Sequence, residues 1–263
     1  MRSQEQLPQL LNTAYNQYAN SEFIDNDPVQ VPHKFLADKD IEVAAFLSAT
    51  IAWGQRKSIV KNANMLMERM DYAPFDFVSN FSIRDYQQLS GFVHRTFNTD
   101  DLLSFLLSLQ RIYRVEEGLQ GVFVKGYQQS QSIKGALEYF RHVFTQGNFA
   151  PRSHKHVADV SRGSAGKRLN MFLRWMVRTD REGVDFGLWT QIPTSALMIP
   201  LDTHSGRVAR ELGLLSRAQN DWSAVEQLTQ TLREFDPDDP VRFDYALFGI
   251  GIAQKNNKSN TFY

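Results

Sequence analysis

The sequence contains no cysteine among its 263 residues. This absence excludes disulfide bonds, thiolate zinc sites, thiol nucleophiles and iron–sulfur clusters held by cysteine. An excess of either charge is also missing, because 29 basic and 29 acidic residues give a formal net charge of zero. Proteins that bind nucleic acid are usually basic, so a nucleic-acid surface here would have to come from a local arrangement of charge.

Long apolar segments are missing as well. No stretch reaches about 18 uninterrupted apolar residues, so we expect no membrane span. The opening segment MRSQEQLPQLLNTAYNQYAN has no apolar core of the length that a signal peptide needs. The sequence therefore predicts a cytoplasmic protein.

The sequence shows helical periodicity over most of its length. Apolar residues recur at spacings of three and four, which is typical of amphipathic helices, and convincing strand alternation is absent. We predict helices over residues 7–18, 38–52, 57–70, 83–89, 99–114, 119–128, 133–144, 164–177, 203–212, 221–234 and 240–254. Helices joined by short loops favour an all-α orthogonal bundle.

One segment with chemical content is PLDTHSGRVARELGL, in which Asp202 lies just before a predicted helix. Aspartate is a preferred N-cap residue, because its carboxylate accepts hydrogen bonds from the first free N–H groups of the helix. The helix dipole also favours the ionised carboxylate. Taken alone, this segment indicates a helix cap more strongly than an active site.

A second segment, SRGSAGKRLNMFL at residues 161–173, has a small-residue turn that opens into a helix. Such a turn leaves backbone N–H groups free to bind a phosphate. The GxxxxGK[ST] spacing of a P-loop is missing. Taken alone, the segment is explained by an exposed loop with Lys167 and Arg168 in solvent.

Together the two segments resemble the helix-hairpin-helix DNA glycosylases, such as endonuclease III and the archaeal 8-oxoguanine glycosylases. The hairpin of that superfamily has the form PGxGxK and binds a DNA phosphate, and its lysine attacks the sugar in the bifunctional members. Gly163 and Ala165 stand at the two hairpin glycines, and Lys167 stands at the lysine. The downstream DTHxxR pattern, which supplies the essential aspartate, is matched by Asp202-Thr203-His204 and Arg207.

A third match is Phe46-Leu47-Ser48-Ala49-Thr50, which resembles the LLSAQ stretch whose end borders the lesion site. The chain also departs from the pattern, with Arg162 in place of the hairpin proline, Ala165 in place of the second glycine and Thr50 in place of the glutamine. The separation of 35 positions between Lys167 and Asp202 is closer to the archaeal enzymes than to endonuclease III. The run KRLNMFLRWMVR at residues 167–178 resembles an uncharacterised bacterial family known as a domain of unknown function.

The resemblance implies a two-lobed fold of the helix-hairpin-helix glycosylase type. A helical barrel lobe would span residues 38–200 and end in the hairpin region. Residues 1–37 and 201–263 would form the second lobe, and a cleft between the lobes would receive a nucleotide flipped out of damaged duplex DNA.

The activity implied by the resemblance is base excision, with abasic-site lyase chemistry through a Schiff base on Lys167. Asp202 would stabilise the oxocarbenium charge and assist deprotonation of the lysine. Neither a metal nor an organic cofactor is needed for this chemistry. The expected phosphate-binding residues are Gly163, Ser164, Ala165, Gly166 and Arg168. The candidate pocket residues are Thr50, Trp53, Gln55, His204 and Arg207.

Other features carry less information. His154 and His156 form an H-x-H pair, but no third ligand has convincing spacing, so no metal site is expected. Arg168, Arg174, Arg178, Arg207 and Arg210 give local basic density near the proposed cleft, which a solvated helix face would explain equally well.

Two alternatives to the enzyme remain from the sequence. One is a non-catalytic nucleic-acid-binding protein that retains the fold, which the zero net charge and the altered hairpin favour. The other is a helical scaffold for protein interaction, in which the motifs serve only as helix caps. The sequence gives no protein partner, no lesion and no oligomeric state.

Overall fold

The computed structural model describes residues 6–25, 27–147, 149–179 and 183–259, with side chains as far as Gln254. Helix dominates this part of the chain, so the fold is all-α. Two compact units are present: a central unit, Ile24–Ser161, and a terminal unit made of Met1–Phe23 and Arg162–Tyr263. The sequence interpretation put the lobe boundaries at 37/38 and 200/201, so residues 24–37 and 162–200 lie in the unit opposite to the expected one. The expected cleft between lobes stays a prediction.

The central unit contains seven of the described α-helices and one small hairpin. The helices are α3 (Asp38–Thr50), α4 (Arg56–Arg69), α5 (Pro74–Asn80), α6 (Tyr86–Leu89), α7 (Thr99–Val115), α8 (Gly118–Ser130) and α9 (Ile133–Phe144); the strands are β1 (Val93–His94) and β2 (Phe97–Asn98). The strands pair antiparallel, with Val93 opposite Asn98. Two residues per strand are too few to show alternation, so the sequence did not predict this hairpin.

Local signals explain where the central helices begin. The side chain of Asn98 accepts hydrogen bonds from the N–H groups of Asp100 and Asp101, and the Asp101 carboxylate accepts one from the Asn98 N–H, which forms a capping box at the start of α7. Ser132 caps α9 through the N–H of Gly135. α5, which the sequence did not predict, begins at Pro74, where the missing N–H of proline costs no helical hydrogen bond.

Phenylalanine rings fill the core of the central unit. Phe46 of α3, Phe105 of α7, and Phe140 and Phe144 of α9 are all buried. Ring centroids lie 4.9 Å apart for Phe105 and Phe144, and 4.4 Å apart for the stacked pair Phe123 and Phe140. Offset and edge-to-face contacts at these distances add to the stabilisation from burial.

The terminal unit is also helical. Its helices are α1 (Gln6–Tyr18), α2 (Ser21–Asp25, which crosses into the central unit), α10 (Lys167–Val177), α11 (Thr203–Glu211), α12 (Trp222–Arg233) and α13 (Phe243–Ser259). Among the described helices, none combines the length and apolar character that crossing a bilayer requires.

The start of α10 differs from the prediction of a helix from residue 164. Gly166 has a left-handed φ of 61°, and the helix begins at Lys167. Ser164 instead forms an antiparallel bridge with Asp221, and the N–H of Trp222 donates to the Gly163 carbonyl at 3.0 Å. The turn is therefore attached to the start of α12.

Close helix contacts place α13 in the middle of the terminal unit. A Cβ atom at Gly249 would lie 1.9 Å from the Tyr18 ring, so only glycine permits α1 to approach α13 this closely. A Cβ atom at Gly251 would meet Val208 of α11 at 3.3 Å. The predicted helix 240–254 is a 3₁₀ turn at Pro240–Arg242 followed by α13. Residues 83–89 are likewise a 3₁₀ turn, Ile83–Asp85, followed by α6.

Candidate active site

Lys167 is the first residue of α10, and its side chain is half-buried. Within the described residues its Nζ atom makes one hydrogen bond, to the Sδ atom of Met171 at 3.5 Å, and no ion pair within 4.0 Å. Met171 lies four residues later, on the same face of the helix. The Lys167 amine and the Met171 sulfur therefore meet on one face of α10.

The turn before Lys167 has the glycine conformations that a tight turn requires. Gly163 adopts a φ of 88°, with nothing within 4 Å of a Cβ atom placed there, and it is exposed, as is Ser164. No side chain caps α10. The buried Asn170 reaches back and donates from Nδ2 to the carbonyl of Ala165 at 3.1 Å, which holds the turn against its own helix.

Asp202 is the N-cap of α11, as the sequence predicted for its structural role. Its Oδ1 atom accepts hydrogen bonds from the N–H groups of His204 at 2.8 Å and Ser205 at 2.9 Å. The Ser205 hydroxyl accepts from the Asp202 N–H at 2.9 Å, which completes a capping box. All the contacts to the Asp202 carboxylate use Oδ1, so Oδ2 has no hydrogen-bond partner among the described residues.

Asp244, in the first turn of α13, connects these two residues electrostatically. Burial raises the pKa of its carboxyl to about 6; Arg174 and Lys167 act to lower that pKa, while Asp202 and Asp185 act to raise it. The strongest direct contact of Asp244 is an ion pair between its Oδ2 atom and Nη1 of Arg174. Lys167 and Asp202, 35 positions apart in sequence, therefore share one electrostatic environment centred on a third carboxylate.

Arg174 and Arg178 belong to a buried ionic network rather than to a basic surface. Their side chains are 3% and 2% exposed, and both bind Asp185, at 3.2 Å and 2.9 Å. Arg178 also binds Asp239 at 2.8 Å. The aromatic ring of Tyr245 lies 4.3 Å below the Arg174 guanidinium. This burial fits neither of the sequence interpretations of these two arginines, which were basic density near the proposed cleft and a solvated helix face.

The remaining basic candidates are placed differently. Desolvation lowers the pKa of Arg168 to about 10, which leaves it cationic at neutral pH. Arg207 binds Glu211 at 2.7 Å and Gln254 at 2.9 Å, so it ties α11 to α13. Arg210 donates to the carbonyl of Arg217 at 2.7 Å. His204 is exposed.

Three predicted pocket residues lie in the central unit, not in the unit of Lys167. Thr50 is the buried last residue of α3, and Gln55 is exposed at the N-cap position of α4. Trp53 packs between two histidine rings, edge-to-face with His94 at 5.0 Å and stacked with His156 at 5.7 Å. The structure therefore groups Lys167, Asp202, His204 and Arg207 in one unit, and Thr50, Trp53 and Gln55 in the other.

The histidine pair His154 and His156 has other partners. His156 is buried, with Nε2 3.4 Å from Oδ2 of Asp101. His154 packs edge-to-face on Phe149. Across the described ranges, no group of three or more metal-ligating side chains is arranged to hold an ion.

Sequence reasoning missed Asp244, Asp185 and Asn170. A signal for the first two was present, because Arg174 and Arg178 occur in a helix whose neighbours are strongly apolar. Arginines buried in such a helix need carboxylate partners. The sequence could not identify those partners, since Asp244 lies 70 positions after Arg174.

A family model described as a protein of unknown function, DUF2400, matches residues 27–253. The chain belongs to this family. The match covers most of the central unit and the terminal unit from Arg162 to residue 253, so the turn of residues 163–166, Lys167, Asp202 and Asp244 all lie within the DUF2400 domain. No curated protein and no solved structure matches the chain.

Proposed function

We propose that this DUF2400 protein is a DNA base-excision glycosylase of the helix-hairpin-helix type, with abasic-site lyase activity through a Schiff base on Lys167. Damaged duplex DNA is the substrate, and the target nucleotide leaves the base stack to be cut. The observation that supports this proposal is the shared electrostatic environment of Lys167 and Asp202 around Asp244. The two residues that match the superfamily motifs thus occur in one unit, although 35 positions separate them.

The roles follow from the contacts of each residue. Lys167 is held by a weak contact to a thioether rather than by a carboxylate, so its amine can leave that contact at little cost. Its attack on C1′ forms the covalent intermediate. The Oδ2 atom of Asp202, which carries no hydrogen bond from the described residues, is available to stabilise positive charge on the sugar while Oδ1 caps α11.

The turn of residues 163–166 is the proposed phosphate contact. Gly163 and Ser164 are exposed, and α10 begins without a side-chain cap, so its positive dipole end can attract an anion. Arg168 adds a cation in the first turn of the same helix. An anion bound here would lie at the start of the helix that carries the proposed nucleophile.

One observation favours a non-catalytic DNA-binding protein as the second candidate. Asp202 forms a complete capping box, which is sufficient reason for an aspartate at this position without any chemistry. The altered hairpin, with Arg162 and Ala165 at positions where the superfamily has proline and glycine, points the same way.

Borohydride trapping on a duplex with an abasic site separates the two candidates. We expect the wild-type protein to form a covalent adduct and Lys167→Ala to form none. Lys134→Ala is the matched control, because Lys134 is also a half-buried lysine in the first turn of a helix, α9. Failure of the wild type to trap, with salt-dependent binding to the same duplex retained, would establish the non-catalytic candidate.

A second pair of variants tests Asp202. Asp202→Asn keeps an N-cap but removes the charge, and we expect the trapping rate to fall by at least about 100-fold. Asp27→Asn is its control, because Asp27 is also an aspartate N-cap, of the 3₁₀ turn Pro28–Gln30 in the central unit, and accepts from the N–H of Val29. Equal trapping rates for the two variants would show that Asp202 acts only as a helix cap.

A further inference from the structure

The segment of residues 217–222, which leads into α12, contacts both parts of the candidate site. Nδ2 of Asn220 donates a hydrogen bond to the Asp202 carbonyl at 3.1 Å. Two residues later, the N–H of Trp222 donates to the carbonyl of Gly163, in the turn before α10, at 3.0 Å. The Cα atoms of Asn220 and Trp222 are two peptide units apart, which is at most about 7 Å. The starts of α10 and α11 are therefore bound to the same short stretch of chain.

Asn220 differs from the other hydrogen-bond partners of Asp202. The others all belong to α11 and hold Asp202 within its own helix; they are N–H groups and a hydroxyl of His204, Ser205 and Gly206. Among the described residues, Asn220 is the one hydrogen-bond partner of Asp202 that lies outside α11. Removal of the Asn220 side chain would therefore leave the cap of α11 intact and break the link between Asp202 and the segment that holds the turn.

Two residues of α11 determine where the Asn220 side chain lies. Nη2 of Arg210 donates to Oδ1 of Asn220 at 2.6 Å, and Nε of Arg210 donates to the Arg217 carbonyl at 2.7 Å. Gly206 lies next to this contact, because a Cβ atom there would be 2.6 Å from Oδ1 of Asn220 and 2.9 Å from Nη1 of Arg210. These distances are shorter than a van der Waals contact, so a methyl group at position 206 would displace the Asn220 side chain.

The other end of the segment is also fixed. Asp221 forms the antiparallel bridge with Ser164, and it caps α12. Its carboxylate also binds the guanidinium of Arg217 through both oxygens. A continuous series of direct contacts thus runs from the Asp202 carbonyl through Asn220 and Asp221 to the turn, and all of its members lie in the terminal unit.

We infer that Asn220 is a positioning residue, which fixes the Asp202 carboxylate at a set distance from the phosphate-binding turn. This inference rests on the proposed base excision. Under that function the turn binds a DNA phosphate while Oδ2 of Asp202 stabilises charge on the sugar, so the distance between them affects the rate of reaction more than the strength of binding. Asn220 is exposed, so its substitution leaves the core of the terminal unit packed.

The kinetic test compares Asn220→Ala and Gly206→Ala with Asn12→Ala. Asn12 is the matched control, because it lies in the same unit and its side chain also accepts from an arginine, Arg242. For the first two variants we expect the trapping rate at saturating abasic duplex to fall by at least about 10-fold, with the half-saturating duplex concentration unchanged. Alanine forms helix better than glycine, so Gly206→Ala should not lower the melting temperature. A wild-type trapping rate in Asn220→Ala would overturn the inference.

The Asp202→Asn background tests whether Asn220 acts through Asp202. A positioning residue loses its effect when the group that it positions is already inactive. Asn220→Ala should therefore change the residual trapping rate of Asp202→Asn by less than about 2-fold. The same fractional loss in both backgrounds would show that Asn220 acts independently of Asp202, and the inference would be wrong.

A distance measurement without DNA separates this inference from the proposed function. The chain has no cysteine, so spin labels can be attached at Ser164→Cys and Thr203→Cys, two exposed positions in the turn and at the start of α11. We expect one narrow distance in the labelled protein and with Asn12→Ala, and a broader distribution with Asn220→Ala or Gly206→Ala. If the wild type fails to trap but the distribution broadens in this way, the proposed function is wrong and the positioning role stands. If Asn220→Ala leaves the distribution unchanged, or Asn12→Ala broadens it equally, the inference is wrong whatever the activity.

Discussion

The two units of this protein contain different clusters of buried side chains. The central unit packs phenylalanine on phenylalanine, with Phe46, Phe105, Phe140 and Phe144 all buried. The terminal unit contains, beside its apolar core, an ionic network of Arg174, Arg178, Asp185, Asp239 and Asp244. Nothing in the central unit's aromatic cluster can titrate, whereas the terminal network holds a carboxyl with a pKa of about 6.

The two kinds of cluster contribute to stability in different ways. Buried aromatic rings contribute stability directly, because removal of apolar surface from water is favourable. Buried ion pairs contribute little net stability, since the cost of desolvating two charges offsets their attraction. A network of this kind fixes the orientation of its members, and here it fixes Asp244 beside the helix that carries Lys167.

The largest effect on stability is expected from the aromatic core. Phe140→Ala removes a ring stacked on Phe123 at 4.4 Å and should lower the free energy of unfolding by about 4 kcal/mol. The loss should be the same at pH 5 and pH 8, because no ionisable group is changed. Hydrogen exchange, which reports the opening of each unit separately, is the measurement. Faster exchange in α10 and α13 but not in α7 and α9 would contradict the assignment of this core to the central unit.

The next largest effect is expected from the ionic network. Asp185 is fully buried and binds both Arg174 and Arg178, so Asp185→Asn leaves two buried cations with less compensation. We expect a loss of about 3 kcal/mol, seen as faster exchange in α10 and α13. Asp239→Asn, which affects Arg178 alone at a site 23% exposed, should cost clearly less. An equal cost for the two variants would mean that Asp185 does not connect the two arginines.

A pH-dependent effect should distinguish the units. The folded-state pKa of Asp244 is raised from 3.8 to about 6, so the folded state binds this proton more tightly than the unfolded state. The contribution of this carboxyl to stability therefore falls as pH rises from about 4 to about 6 and is constant above that range. The difference in unfolding free energy between the wild type and Asp244→Asn should shift by about 2 kcal/mol against the wild type over this window. A difference that does not change with pH would show that the carboxyl does not titrate there.

The smallest effect is expected at the cap of α11. Asp202→Asn should change the unfolding free energy by less than about 0.5 kcal/mol, whereas Asp202→Ala should lower it by about 1 kcal/mol because the cap is lost. Thermal unfolding of the two variants side by side is the measurement. Equal melting temperatures for the two variants would mean that the hydrogen bonds to His204 and Ser205 contribute nothing.

The helices were the part of the fold that the sequence predicted well. α7 and α9 begin where apolar periodicity starts and where Asn98 and Ser132 supply caps, so local physics is enough to find them. α5 and the hairpin β1–β2 were missed, because seven residues and two residues give too little periodicity. Ser164 forms a bridge with Asp221 instead of joining the predicted helix. Asp221 lies far away in sequence, so no local pattern could predict this bridge.

Only the parts of the candidate site whose contacts lie within a few residues in sequence could be predicted. Asp202 is recognisable as a cap because its partners are the next two or three residues. The ion pair of Arg174 with Asp244 joins α10 to α13 and depends on tertiary packing, so no short pattern contains it. The structure also showed that Trp53 belongs to the central unit, which residue type alone does not reveal.

Under the proposed function Asp202 both caps α11 and takes part in the reaction, which has a consequence for how members of this family diverge. A lineage that lost its chemistry would still be selected to keep an acidic or amide side chain at this position, because α11 needs its cap. Lys167 has no comparable structural role, since its amine makes a hydrogen bond only to the sulfur of Met171 within the described structure. Drift would therefore remove the lysine before the aspartate, because only the aspartate is needed by the fold.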